Sequence, residues 1–227
     1  LRRPRGVAGC ISPWNLPLYL LSWKIAPALA TGNTVVAKPS EITPLTAYLL
    51  SEICIDAGLP PGVLNIVHGT GASAGAALVR HPKVSAISFT GGTATGADIA
   101  RTAGPLFKRL SLELGGKNPN VVFADADLDA AVAGTMASKY RNTGQTCVCA
   151  NRILVQDGVY EAFAKKLAKA VTDLRVGAGT EEGVSQGPLI NEKAVRKVEE
   201  LLKDATDKGA SVIAGGARHE RGGTFFQ

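Results

Sequence analysis

The sequence has few cysteines, histidines and aromatic residues: its 227 residues include 4 cysteines and 3 histidines, and 5% of the side chains are aromatic. The cysteines form no regular framework, and a chain of this length can bury enough apolar surface to be stable without disulfides. The Cys147-x-Cys149 pair has no second pair and no histidine at metal-ligand spacing, which argues against a zinc site. Cysteine usage of this kind is typical of a cytoplasmic protein.

Long apolar runs and one-sided charge clusters are also missing. No run reaches the roughly 18 apolar residues that a membrane span requires, and the first residues show no signal-peptide pattern. The net charge is +6, from 25 lysines and arginines against 19 aspartates and glutamates. These charges are spread along the chain and do not alternate with aromatic residues as in a nucleic-acid groove. We interpret the surplus as a positive surface for an anionic ligand.

The first half of the chain does contain a regular alternation of β-rich and helical runs. Periodicity and turn residues predict strands at residues 6–11, 34–38, 63–67 and 86–89, and helices at 16–30, 44–57, 72–79 and 93–103. Asn15 is predicted to cap the first helix and Thr43 to open the second. Alternation at this pace predicts right-handed βαβ units and a Rossmann-like parallel sheet.

The second half is predicted to be α/β as well. Strands are predicted at residues 120–123, 152–155 and 211–214, and helices at 128–140, 159–174 and 191–208. The Asp125-Ala126-Asp127 segment should cap the first of these helices. The predicted fold class is therefore α/β throughout.

Ligands of parallel sheets bind at the carboxyl ends of the strands, so the residues that follow each strand are binding-site candidates. Gly69-x-Gly71-x-x-x-Gly75 resembles the dinucleotide fingerprint but is one residue too long, and it also suits an ordinary tight turn. A carboxylate such as Glu41 at the end of the second strand could bind ribose hydroxyls and would repel the additional phosphate of NADP. Lys38 could bind a hydroxyl or a phosphate. Both could instead be solvated surface charges.

Two further residues could carry chemistry. Glu113 stands between Leu112 and Leu114, so it either faces solvent on an alternating strand or is partly buried, as a general base would be. Cys147 follows Gly144 in a segment between a helical and a strand pattern, which makes it a candidate nucleophile. A buried cysteine can also be a small apolar residue without chemistry.

Six motifs resemble those of the aldehyde dehydrogenase superfamily and occur in the family's order: P-W-N at 13–15, W-K-I-A-P-A-L-A-T-G-N-T at 23–34, K-P-S-E at 38–41, F-T-G at 89–91, L-E-L-G-G-K at 112–117 and G-Q-T-C at 144–147. Residues 1–132 are most similar to hydroxymuconic and aminomuconic semialdehyde dehydrogenases, and residues 133–227 to succinate-semialdehyde dehydrogenases. The chain is therefore expected to be a fragment or a hybrid. The resemblance implies an NAD-binding domain at 1–114, lacking its N-terminal part, and a catalytic domain at 115–227, lacking its C-terminal part.

The resemblance implies roles for three catalytic residues. Cys147 would attack the aldehyde carbonyl, and the Asn15 amide with the Cys147 backbone N–H would hold the oxyanion. Hydride transfer to NAD would leave a thioester, which water activated by Glu113 would hydrolyse to the carboxylic acid.

The resemblance also implies cofactor contacts, with NAD favoured by Glu41 and NADP as the alternative. The implied contacts are Ile11, Ser12, Pro13, Trp14, Lys38, Ser40, Glu41, Gly71, Gly75, Phe89, Thr90, Gly91, Gly92, Thr95 and Leu114. The family usually has serine in place of Gly92, so a hydroxyl contact to phosphate is lost, although a backbone N–H can replace it.

The substrate prediction depends on Arg141, at the position where the succinate-semialdehyde branch has an arginine that binds the distal carboxylate. A guanidinium offers a bidentate fork for such a group. The second arginine of that branch is replaced by Trp23, and Arg141 could also be a surface cation at a helix end. Cys149 resembles the partner of a regulatory disulfide, but two cysteines this close in one loop make strained geometry, and we interpret it as an inert small residue.

Two other functions stay open: an NAD-binding fragment without turnover, and an acylating dehydrogenase that transfers the acyl group to coenzyme A. Retention of Glu113 argues against the second. The expected partners are an aldehyde substrate and either further copies of the chain, in a homo-oligomer, or another polypeptide segment that completes it. Neither nucleic acid nor a membrane is expected as a partner.

Overall fold

The computed structural model describes residues 3–227, which form two compact units divided in sequence between Gly115 and Gly116. The boundary expected from the sequence lies one residue earlier, and the functions assigned to the two parts remain predictions. In the described part of the chain, no helix is both long enough and apolar enough to cross a membrane.

The first unit is built around a five-stranded parallel sheet. Its strands are β1 (Val7–Ile11), β2 (Thr34–Lys38), β3 (Leu64–Ile66), β4 (Val84–Thr90) and β5 (Arg109–Glu113), in the spatial order β3-β2-β1-β4-β5. Its helices are α1 (Pro17–Ala30), α2 (Leu45–Asp56), α3 (Ala76–Arg80) and α4 (Thr93–Ala103), and a π-helical turn at Gly71–Gly75 leads into α3. Each pair of neighbouring strands is parallel, which confirms the predicted α/β fold.

Both faces of this sheet are covered by apolar layers. One layer joins β1 and β2 to α1 and α2 through Cys10, Leu21, Ile25, Val35, Ala37 and Ala47. The other joins β1 and β4 to α3 and α4 through Ile11, Leu78, Val79, Val84, Ile87, Phe89, Ile99 and Ala103. The neighbours Cys10 and Ile11 belong to different layers because successive strand residues point to opposite faces. Burial on both faces is typical of parallel sheets, which helices cover on each side.

The starts of the first two helices differ from the prediction. The cap position of α1 is Leu16, without a side-chain cap hydrogen bond, so the prediction that Asn15 caps this helix is wrong. Pro17 at the first helical position lacks an N–H and already has a helical φ, so it starts the helix without a polar cap. α2 has no side-chain cap either; the hydroxyl of Thr43 donates to the carbonyl of Trp14 at 3.2 Å.

The second unit contains two parallel strands and three helices. The strands are β6 (Asn118–Val122) and β7 (Ala150–Val155), and the helices are α5 (Leu128–Lys139), α6 (Asp157–Thr172) and α7 (Glu192–Asp207). Its buried cluster joins Val122 of β6 to Val132 of α5 and Phe163 of α6. Asp127 caps α5 as predicted, since its carboxylate accepts the N–H groups of residues 129 (2.9 Å) and 130 (3.1 Å).

The predicted strand at residues 211–214 is not formed. Val212 and Ile213 are 52% and 66% exposed, and no residue in the range 3–227 pairs with them in a β ladder. A strand forms only where its backbone groups can pair with a neighbouring strand. The apolar pattern at residues 211–214 does not show whether such a neighbour exists, so the prediction was wrong. Further on, Arg218 forms ion pairs at 2.7 Å with Glu192 and Glu199 of α7, which tie the C-terminal segment to that helix.

Candidate nucleotide-binding cavity and thiol loop

A cavity of about 750 Å3 opens at the carboxyl ends of the strands in the first unit. All the residues predicted to bind cofactor line it except Leu114: Ile11, Ser12, Pro13, Trp14, Lys38, Ser40, Glu41, Gly71, Gly75, Phe89, Thr90, Gly91, Gly92 and Thr95. β1 lies between β2 and β4, so the chain continues to one side of β1 and later returns on the other. This reversal is the switch point at which α/β sheets bind ligands.

Two helical N-termini border the cavity, and only one of them is capped. The hydroxyl of Thr70 accepts the N–H of Ser73 at 3.2 Å and so caps the π-helical turn. The cap position of α4 is Gly92, and this helix has no side-chain cap. The first N–H groups of α4 and the positive end of its dipole are therefore suited to an anion, such as the phosphates of a dinucleotide.

An ion pair between a buried lysine and an exposed glutamate lies at the end of β2. Lys38 is only 3% exposed, and its Nζ lies 2.8 Å from Oε2 of Glu41. The hydrogen bond from Lys38 lowers the pKa of Glu41, so the carboxylate is ionised at neutral pH. The pair places a cationic donor beside an anionic acceptor, an arrangement that matches the vicinal hydroxyls of a ribose.

A buried hydroxyl in the cavity also fits a ligand. Ser12, at the carboxyl end of β1, is 4% exposed, and its Oγ has no hydrogen-bond partner among residues 3–227. A buried hydroxyl without a partner is costly unless a ligand or water supplies one. Together with the ion pair and the uncapped helix, this atom makes the cavity fit a bound dinucleotide.

Two glycines allow close packing beside the cavity. A Cβ on Gly91 would lie 2.4 Å from the ring of Phe89, and a Cβ on Gly96 would lie 2.5 Å from Leu114 Cδ2. The side chain of Leu114 therefore packs where α4 crosses β5 and does not line the cavity, so its predicted contact with the cofactor remains a prediction.

Sequence reasoning missed the part of the lining that comes from the helical faces. These residues are Ala72, Ala76, Val79, Arg80, Asp98, Ile99, Arg101 and Thr102. Asp98, Ile99 and Thr102 follow the predicted Thr95 at intervals of three, four and seven positions, which is one face of a helix. A helical projection of α4 from Thr95 would have found them.

Two proposed catalytic residues, Asn15 and Glu113, lie near the carboxyl ends of strands in the first unit. Asn15 is half-buried after β1, and Glu113 is the last residue of β5. Glu113 is exposed, so the structure shows the solvent-facing alternative for this residue. The nearby Lys24 is buried and donates to Ser88 Oγ at 3.3 Å. Burial lowers the pKa of Lys24, and electrostatic interactions with Cys10 and Glu113 oppose that effect.

Cys147 lies in the second unit, in a loop between α5 and β7. It is a half-buried free thiol, and its carbonyl accepts a hydrogen bond from Asn118 Nδ2 at 3.4 Å. The loop begins with three residues in the left-handed region, Asn142, Thr143 and Gly144, with φ of 54°, 56° and 72°. Backbone of this kind is uncommon for residues other than glycine and is concentrated at functional sites.

The other residues singled out from the sequence lie as follows. Arg141 is exposed at the start of the loop. Cys149 is fully buried and hydrogen-bonded to Thr146 Oγ1; its interpretation as an inert small residue remains a prediction. Trp23 is 64% exposed on α1, with its ring 4.4 Å from that of Tyr19 between centroids.

The sheet order and the cavity at its switch point define the first unit as an α/β domain with a ligand cavity at the carboxyl ends of its parallel strands. The model of the aldehyde dehydrogenase family matches residues 1–227. The chain belongs to this family, which confirms the resemblance found in the motifs.

Several dehydrogenases are similar to this chain in sequence or in structure. The mitochondrial succinate-semialdehyde dehydrogenase of Arabidopsis thaliana is 55% identical over 227 residues, which are 100% of this chain and 43% of that protein. The succinate-semialdehyde dehydrogenase [NADP(+)] of Escherichia coli K12 is 52% identical over 227 residues, 100% of this chain and 47% of that one. An NAD+ complex of an aldehyde dehydrogenase from Bacillus cereus superposes with a TM-score of 0.97 at 41% identity, covering 99% of this chain and 46% of that chain. The chain thus spans less than half the length of the relatives it matches.

Proposed function

We propose that the chain forms the cofactor-binding part and the nucleophile-bearing part of a dehydrogenase that oxidises an aldehyde to its carboxylic acid with NAD. The cavity at the switch point carries this proposal, because it combines an ionised carboxylate, an uncapped helix N-terminus and an unpaired buried hydroxyl. These are the groups that bind a ribose and a pyrophosphate. The family and the activities of the similar dehydrogenases support the reaction class.

Cys147 is the proposed nucleophile. Its thiolate adds to the carbonyl carbon of the aldehyde, which gives a tetrahedral thiohemiacetal. The Asn15 amide and the Cys147 backbone N–H are proposed to donate hydrogen bonds to the oxyanion, because fixed neutral donors stabilise a developing charge without a proton transfer. When bound, NAD or NADP supplies the hydride acceptor for the next step.

Glu113 is the proposed general base for release of the acid. Loss of hydride leaves the acyl group on Cys147 as a thioester, and water must be deprotonated as it attacks this carbonyl. Glu113 ends β5 and is exposed, so a water molecule can reach its carboxylate. The same step restores the thiol and releases the carboxylate product.

We propose a semialdehyde that carries a carboxylate as the substrate. Arg141 is exposed at the start of the loop that carries Cys147, and its guanidinium could hold the distal carboxylate with two parallel hydrogen bonds. The resemblance implies a second arginine at position 23, where this chain has an exposed tryptophan whose ring is tilted by 37° against that of Tyr19. The single guanidinium of Arg141 suits a substrate with one distal carboxylate.

The proposed cofactor is NAD, with NADP as the alternative. The ionised Glu41 at the end of β2 supports this choice, because its charge would repel a phosphate on the ribose.

We also propose a cytoplasmic location, from the cysteine usage, and a homo-oligomer or an assembly in which another polypeptide segment completes the chain. Analytical ultracentrifugation tests whether the chain assembles with further polypeptides. A stable monomer that melts cooperatively would refute this part of the proposal.

The test is NADH formation from NAD and succinic semialdehyde by the wild-type chain and by Cys147→Ala. The variant should lose turnover but keep its Kd for NAD, because Cys147 does not line the cavity. Cys54→Ala, which alters another half-buried free thiol, is the matched control and should keep both.

Each other outcome has a clear meaning. Turnover in Cys147→Ala would refute the nucleophile assignment. Binding of NAD by the wild type without hydride transfer would identify a nucleotide-binding fragment, and release of an acyl-coenzyme A would identify an acylating dehydrogenase.

A further inference from the structure

The loop that carries Cys147 has an unfavourable backbone conformation, which contacts with the surrounding residues must stabilise. Asn142, Thr143 and Gly144 are all left-handed, with φ of 54°, 56° and 72°. This region is unfavourable for side chains with a Cβ, and most unfavourable for a β-branched residue such as Thr143. Such conformations persist only where surrounding contacts impose them. The contacts around the loop therefore decide where the thiol lies.

Lys139, the last residue of α5, borders this turn. A Cβ on Gly144 would lie 3.4 Å from the Lys139 carbonyl oxygen and 3.8 Å from its Nζ. The side chain is half-buried, and its Nζ donates to Asn151 Oδ1 at 2.8 Å. Burial lowers the pKa of Lys139, so the fold keeps an ammonium where its solvation is poor. A buried cation is retained only when its hydrogen bonds compensate.

Asn151 extends this contact to the main chain around the thiol. Its Nδ2 donates to the carbonyls of Cys149 at 3.2 Å and Gly116 at 3.4 Å. Gly116 in turn lies against the thiol residue, since a Cβ on it would be 2.9 Å from the Cys147 carbonyl oxygen. Lys139 therefore orients the Asn151 amide, and this amide links Gly116, just before β6, to Cys149, two residues after the thiol.

A surface lysine elsewhere in this unit behaves differently. Lys169 on α6 is 76% exposed and pairs with Asp173 one helical turn away, an arrangement that contributes little to stability. Lys139 instead donates to a neutral amide from a different element. We propose that Lys139 and Asn151 are positioning residues for Cys147, holding its loop in the conformation from which the thiol attacks. This inference rests on the proposed function, in which Cys147 is the nucleophile.

The test is hydrogen–deuterium exchange of the backbone in residues 141–149 of the 227-residue chain. Lys139→Met keeps most of the length of the side chain and removes the ammonium, so the loop amides should exchange at least about tenfold faster. Asn151→Asp keeps the acceptor for Lys139 but loses both donated hydrogen bonds, and should give the same increase. Lys139→Arg keeps a cationic donor and should retain wild-type exchange. Lys169→Met is the surface control and should change nothing in the loop.

If the wild-type chain oxidises the aldehyde, the variants should change kcat but not the Kd for NAD. In Lys139→Met, kcat should fall by roughly ten- to a hundredfold, because displacement of a reacting group on the order of 1 Å has that effect. The Kd for NAD should stay unchanged, since neither residue lines the cavity, and Lys139→Arg should recover most of kcat.

The exchange measurement separates this inference from the proposed function. Faster loop exchange in both variants without NADH formation by the wild type would support the positioning role and count against the dehydrogenase. Unchanged loop exchange in Lys139→Met and Asn151→Asp would overturn the positioning role, whatever the activity. Faster exchange that also spreads through α5 and β7, and that Lys139→Arg fails to restore, would overturn it too, because it would show a general loss of packing.

Discussion

Replacing Gly92 with serine should tighten the binding of NAD. Gly92 is the cap residue of α4, with φ of −70° and ψ of 145°, a conformation open to any residue and typical of a helix cap. A Cβ at this position meets no atom within 4 Å. The added hydroxyl would stand at the uncapped N-terminus that borders the cavity, where the phosphates of the cofactor are proposed to lie.

The expected gain is modest. A hydrogen bond to a charged group contributes roughly 1.5–3 kcal/mol, but the serine hydroxyl can also turn back to cap α4, which is worth a few tenths of a kcal/mol relative to glycine. Because these two uses of the hydroxyl compete, we expect a net gain of about 1 kcal/mol. That corresponds to a Kd for NAD about fivefold lower.

Tryptophan fluorescence can measure this change, because Trp14 lines the cavity. The exposed Trp23 would add a constant signal, so Trp23→Phe is the background for all samples. Gly92→Ala is the matched control, since it adds a Cβ without a hydroxyl and should leave the Kd near that of glycine. Equal Kd values for the serine and alanine variants, or weaker binding in the serine variant, would refute the reasoning.

Two further predictions concern carboxylates whose pKa a cation lowers. Glu41→Gln should lower the Kd for NADP relative to NAD by five- to thirtyfold, since a repulsion of about 1–2 kcal/mol is removed; competition titrations measure this. Because Lys38 lowers the pKa of Glu41, this carboxylate should stay ionised, and the wild type should prefer NAD, until the pH falls below the ordinary glutamate pKa of 4.5. Loss of the preference for NAD in mildly acid solution would contradict the prediction. Arg218→Met should release the C-terminal segment from α7, seen as faster hydrogen exchange in residues 215–227. Arg218 lowers the pKa of both Glu192 and Glu199, so the wild-type segment should stay protected above their ordinary pKa and lose protection as pH falls through the lowered values. Protection that Arg218→Met leaves intact would show that the ion pairs do not hold the segment.

The bounds of regular elements followed from the sequence where local signals agreed with packing. β2 has the predicted bounds, because Val35 and Ala37 alternate with polar or half-buried neighbours. α4 also has its predicted bounds, because Gly92 and Gly104 flank it. The run at 211–214 has the same local signal as β2 but no partner strand among residues 3–227, and pairing cannot be seen in a local pattern.

The candidate cavity was predictable from the strand ends and less so from the helices. A parallel sheet fixes where the strand ends meet, so Ser12, Lys38 and Thr90 could be assigned to one edge. Arg80 and Arg101 reach the same cavity from α3 and α4, and this depends on how each helix is rotated against the sheet. The left-handed Thr143 was beyond prediction, because nothing in its residue type favours that backbone.

The close approach of Gly91 to Phe89, and of Gly96 to Leu114, limits how this sequence can change over time. A side chain at position 91 would overlap the ring of the buried Phe89, so a substitution there requires this ring to move or to be replaced by a smaller side chain. A side chain at position 96 would displace mainly a terminal methyl group of Leu114, which is a smaller adjustment. The two positions of each pair therefore constrain each other, although they lie two and eighteen positions apart in the chain. Mutant libraries that vary both members of a pair together reach packings of the same fold that a substitution of the glycine alone does not.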